Sequence, residues 1–105
     1  MQIQINTDNN IDGNDRLAQY VEGVVRDALD RLSAQITRVE VHLSDENSDK
    51  KSGPADKHCQ LEARLAVLQP ISVSHQAATM EQAVDGAAEK LKRSLESTLG
   101  RLGRR

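Results

Sequence analysis

The sequence predicts a two-layer α+β domain ordered β-α-β-β-β-α, with a four-stranded mixed sheet carrying two helices on one face, and three observations support it. Two long stretches repeat their apolar residues at steps of three and four, the helical period, while four shorter ones alternate, the strand period. Each alternating stretch is apolar on one side only, so the sheet has a single face to bury. Each helical stretch also has a single apolar stripe, and both stripes can cover that one face.

The elements follow in order. Gln2 to Asn6 alternates polar residues with Ile3 and Ile5 and reads as a short strand. Asn9 to Asn14, with Asp12 and Gly13, is turn chemistry that can also cap the following helix. From Asp15 to about Ser33, Leu17, Tyr20, Val21, Val24, Val25, Ala28 and Leu32 share one face at helical spacing. Tyr20 lies at the edge of that face and reads as part of the core. Ile36 to Ser44 is a strand with Val39, Val41 and Leu43 inward and Arg38, Glu40 and His42 outward. His58 to Leu68 is a third, with Cys59, Leu61, Ala63, Leu65 and Val67 inward, and Ile71 to Ala77 a fourth, with Ile71, Val73, His75 and Ala77 on one side. The first helix joins its flanking strands by a crossover, which makes them parallel if they are neighbours. Residues 45–57 are polar throughout and contain Gly53-Pro54, a hairpin loop, and Gln69-Pro70 marks a tight turn between the last two strands.

The last helix, from Thr79 to Arg105, holds most of the interpretable charge. Thr79 followed by Gln82 fits a capping box that satisfies free backbone N–H groups of the first turn. Met80, Val84, Ala87, Ala88, Leu91, Leu95, Leu99 and Leu102 form its apolar stripe. At about 100° per residue, Lys90, Arg93, Arg101, Arg104 and Arg105 fall in a sector of roughly 120°, whereas Glu81, Asp85, Glu89 and Glu96 fall in another. From residue 90 onward the six bases Lys90, Lys92, Arg93, Arg101, Arg104 and Arg105 face only Glu96, a balance of +5 in a chain whose total is -2. A basic helix end suits the helix dipole and is often no more than a solvated face. The alternative is an anion-binding ridge for a phosphate backbone, which arginine can hold bidentately.

Composition narrows the function further. At 105 residues the chain, 1–105, reads as one domain with a single core. It has no apolar run long enough for a membrane span and no basic-then-apolar leader, which reads as soluble, unexported and cytoplasmic. One cysteine excludes an internal disulfide. With one tyrosine and neither tryptophan nor phenylalanine, the core is built from Leu, Ile, Val and Ala, and nucleic-acid binding by aromatic stacking is excluded. Binding by shape and charge is the remaining variant.

No constellation makes a positive case for catalysis. Asp45, Asn47 and Asp49 imitate a calcium loop, but Lys50 stands where its glycine should be and Asp56 where its bidentate glutamate should be. His58 and Cys59 are adjacent on a strand and point to opposite faces, so they cannot share one metal. His42 and His58 could approach each other across the outer sheet face, without further ligands. His75 is on the apolar side of its strand while Ser72 and Ser74 project away from it, and no nucleophile, base and carboxylate arise from local spacing. Neither a glycine-rich phosphate loop nor a dinucleotide fingerprint is present. The expectation is a non-enzyme with no metal, no cofactor and no small-molecule substrate.

The segment from Ile71 to Leu95 resembles the bacterial ribosome hibernation-promoting and ribosome-associated inhibitor family, once called sigma-54 modulation proteins. The likeness rests on the strand end Ile71-Ser72-Val73-Ser74-His75, on Met80 at the helix start, on Ala83-Val84-Asp85, and on Lys90-Leu91-Lys92-Arg93-Ser94-Leu95. Element order and length extend it over nearly the whole chain, and the short form of the family, without a C-terminal dimerisation domain, is the one it resembles. The resemblance implies a fold similar to a double-stranded RNA-binding domain. It also implies docking in the small ribosomal subunit where messenger and transfer RNA otherwise sit. On that basis Lys90 and Arg93 would contact rRNA phosphates; Lys92, Arg101, Arg104 and Arg105 are added from the charge map. Glu81 replaces the family's tyrosine after the methionine, and the mild net acidity departs from the basic balance of most short members. Docking must therefore present the second helix selectively. A protein-interaction module of the same fold, recruiting a regulator or a second copy through the acidic sector or the sheet edge, is the competing reading.

Overall fold

A computed structural model of the chain describes residues 1–8, 15–45 and 56–103, the last three by backbone alone. Its elements are β1 (Gln2–Thr7), α1 (Asp15–Leu29), a 3-10 segment (Asp30–Gln35), β2 (Ile36–Asp45), β3 (Lys57–Leu65), β4 (Ile71–Ala77) and α2 (Met80–Gly103). The strands lie in the order β1-β2-β3-β4. β1 runs parallel to β2, with Ile3 opposite Val39, while β2–β3 and β3–β4 are antiparallel, which makes the sheet mixed as expected.

Alternation in the strands becomes a sided sheet. Val39, Val41 and Leu43 of β2 and Cys59, Leu61 and Ala63 of β3 are buried, and they meet Val21, Val25 and Leu29 of α1 and Val84, Ala87, Leu91 and Leu95 of α2. Both helices therefore cover one face. A register shift between Ile36 and Arg38 lets Ile36 join Val39 on the buried side despite the odd spacing, and the Thr37 hydroxyl donates to the Arg64 carbonyl at 2.9 Å beside it. On the open face Glu40 receives Arg38 at 2.6 Å, with Arg64 and His42 each at 3.7 Å.

Three expectations need correction. The first helix ends as an α-helix at Leu29, and the stretch expected to continue it to Ser33 is wound as 3-10. The third strand ends at Leu65 rather than Leu68, because β2 begins at Ile36, opposite Leu65; beyond it the Ala66 N–H reaches only the Gln35 carbonyl, at 3.4 Å, at the end of the 3-10 segment. Val67, expected inward, is consequently 90% exposed. Leu99, placed on the apolar stripe, is only half-buried. The turn at 9–14, the loop interior at 46–55 and the end of the last helix at Arg104 and Arg105 lie outside the described residues. So do Asn47, Asp49 and Lys50 of the calcium-like run. Of its carboxylates, Asp45 and Asp56 both hold the Lys57 ammonium, at 3.3 and 3.2 Å, and these contacts raise the pKa of Lys57.

Candidate nucleic-acid interface

The candidate interface lies on α2, which starts where the sequence places it. The Thr79 hydroxyl accepts the Gln82 N–H at 3.1 Å and the Thr79 carbonyl the Ala83 N–H at 3.0 Å; the Gln82 amide makes no return bond. From this cap the helix runs over β3 and β4. Its apolar stripe is spent on the core, and the remaining circumference divides into two flanks and a crest.

One flank faces α1 and is acidic. Asp85 accepts a 2.7 Å hydrogen bond from the Tyr20 hydroxyl, joining the two helices across 65 positions of sequence. Donation to Asp85 holds the Tyr20 pKa up at about 12, with burial and the charges of Asp85 and Glu81 adding to it. A shallow groove between the helices is lined by Val24, Asp27, Ala28, Asp85, Ala88, Glu89 and Lys92. Lys92 is thus set among carboxylates, apart from the other basic residues proposed for the site.

The other flank overhangs β4. Lys90 is exposed, and its ammonium donates to the Ser74 carbonyl at 2.9 Å. A carbonyl partner fixes the ammonium without cancelling its charge. Arg93, three residues on, is exposed near the crest, and among the described residues neither Lys90 nor Arg93 has a carboxylate within ion-pair distance. Arg101 lies in the last turn of α2 with its side chain outside the description, and Arg104 and Arg105 fall beyond it. Of the six predicted residues the structure brings Lys90 and Arg93 to one side of the helix and separates Lys92 from them.

His75 projects from β4 onto α2, where a Cβ added at Gly86 would overlap its imidazole ring. Gly86 lets helix and strand approach at this point, a role that a glycine in a helix interior could have signalled. His42 and His58 are diagonal rather than opposite: His42 faces Gln60, and His58 faces Ser44, whose hydroxyl is 3.4 Å from its Nδ1. Both line an open cleft with Asn6, Thr7, Asp8, Leu43, Ser44 and Gln60. Among the described residues no group of three His, Cys, Asp or Glu could hold a metal ion. Cys59 is fully buried, which pushes its thiol up to about 12 and keeps it from acting as a nucleophile. No described helix is long and apolar enough to cross a membrane.

With this geometry in hand, a family model described as Sigma 54 modulation protein / S30EA ribosomal protein matches residues 3–102. Among solved structures, a ribosomal subunit interface protein from Coxiella burnetii superposes with a TM-score of 0.74 at 16% identity, covering 95% of this chain and 99% of that one. The N-terminal domain of Protein Y from Thermus thermophilus gives a TM-score of 0.74 at 20% identity, covering 93% and 99%. At such identities the likeness is one of fold. No curated protein matches the chain.

Proposed function

The chain belongs to the sigma 54 modulation protein / S30EA ribosomal protein family, and from that premise we propose that it is a cytoplasmic, non-enzymatic ribosome-binding hibernation factor. It docks on rRNA of the small subunit through the basic side of α2 and so modulates translation. The observation that carries this reading is the pair Lys90 and Arg93, exposed on one side of α2 with no carboxylate in ion-pair reach among the described residues. Phosphate oxygens can therefore meet both charges unneutralised. Arg101, Arg104 and Arg105 extend the cationic run along the chain, and Lys92 contributes long-range attraction more than contact. The acidic flank favours a second reading, a protein-interaction module of the same fold whose partner is basic.

Co-sedimentation with ribosomes across a salt series separates the two. Binding through about five phosphates weakens with a log–log slope near -4. Reversal of Lys90, Arg93 and Arg101 to glutamate abolishes it. Absence of co-sedimentation at low salt overturns the ribosome reading, and full binding by the triple variant moves the site off α2.

A further inference from the structure

We infer that Lys90 guards a sheet edge that no other described strand covers, and that the partner this edge fits is β4 of a second copy of the chain. The orientation of the edge follows from the ladder. Asp8 N–H donates to the Leu43 carbonyl, so Leu43 turns its peptide groups toward β1, and its neighbour Ser44 turns them toward β3. Ser44 is opposite His58, so Cys59, the next residue, turns its groups toward β4, where it meets His75. Ser72 and Ser74, out of phase with His75, therefore direct their N–H and C=O groups away from the sheet. The Lys90 bond to the Ser74 carbonyl agrees with this, since that oxygen faces outward within reach of α2.

Edge strands are normally protected by a charge, a proline or a bulge of their own. β4 has none: Ile71–Ala77 contains no charged residue and no proline, and its register against β3 is unbroken. Protection comes instead from the helix above, which sets an ammonium on the middle residue of the strand. Ser74 is also the point about which β4 is self-complementary. An antiparallel copy centred there places Ser72 opposite Gln76 on the outer face, and Ile71 opposite Ala77 with Val73 opposite His75 on the helix side. No like charges meet. Ser74 would exchange two backbone bonds with its counterpart, one of them to the carbonyl that Lys90 holds. Pairing thus requires both ammonium groups to leave.

The test is the oligomeric state of the RNA-free protein by sedimentation velocity across a concentration series, with Lys90→Met removing the charge and keeping the stem. The wild type is expected to stay monomeric where K90M dimerises, with a dissociation constant lower by at least about tenfold. R93M, which makes the same change of charge elsewhere on the helix, remains monomeric. Adding Ser74→Pro to K90M returns the monomer, because a proline there removes only an outward N–H. In a K90M/S74C variant, a short bismaleimide should link two copies through position 74, Cys59 being buried. A monomeric K90M, a wild type that dimerises equally well, a dimeric R93M, or a K90M dimer that neither S74P nor the crosslink registers would each overturn the inference. No arm involves ribosomes, so its failure and that of the ribosome reading are distinguishable.

Discussion

Gly86→Ala sets local propensity against packing, and the two disagree in sign. In an exposed helix interior alanine is favoured over glycine by about 1 kcal/mol, so propensity alone makes the variant more stable. The structure predicts the reverse, because a Cβ at position 86 would fall on the Cγ, Cδ2 and Nε2 atoms of His75. Cγ lies next to the Cβ of the histidine, so rotating the ring about its own axis cannot clear the overlap. Either the whole side chain leaves its rotamer or α2 lifts from β4. Overpacking of this kind costs about 1–3 kcal/mol, which exceeds the propensity gain and leaves a net loss of about 1 kcal/mol. For a domain of this size that is a fall in melting temperature of about 4–8 °C. Urea denaturation of the wild type, G86A, H75A and the double variant completes a double-mutant cycle. With His75 truncated, G86A is expected to be neutral or stabilising, giving a coupling of about 2 kcal/mol. If G86A stabilises the protein as much with His75 present as without it, the close approach of ring and helix is wrong.

Tyr20 is the only tyrosine and there is no tryptophan, so the phenolate absorbance reports one group. Its titration midpoint is expected at about 12 and should fall toward the ordinary value near 10 in Asp85→Asn, measured by ultraviolet titration. The folded pKa is raised, so the contribution of this contact to stability is complete below pH 10 and is lost as pH rises through 12. Val67→Asp should change stability by less than about 0.5 kcal/mol, because the side chain is 90% exposed. Leu61→Ala, in the buried middle of β3, should cost about 2–5 kcal/mol in urea denaturation.

Much of this architecture was legible because each element is amphipathic with the period its backbone requires. β4 has the predicted ends, and α2 begins at the predicted threonine cap. The errors have a common cause: a periodic pattern does not record where a neighbour stops. Leu65 and Val67 continue the alternation, yet the partner strand has already run out at Ile36, so the pattern outlasts the strand. Leu32 likewise continues a helical pattern into a segment wound as 3-10. The charge sectors of α2 could be computed from spacing alone. What lay above each sector could not, and that decides that Lys90 meets β4 while Lys92 lines a groove with Asp27, Asp85 and Glu89. The Tyr20–Asp85 bond was beyond sequence reasoning because its partners are 65 positions apart on different helices.

The opposed flanks of α2 give the molecule a lever arm. In a uniform view a chain of net charge -2 is pushed away by a polyanion. Near a phosphate surface, however, the charge gradient across the helix would exert a torque that turns the β4 side inward and the α1 side outward even while the net charge repels. Because fields fade over about 10 Å at 0.1 M salt, this alignment occurs only in the final approach. The protein would then drift past polyanions at a distance and be captured close in, a filter that uniform basicity could not supply.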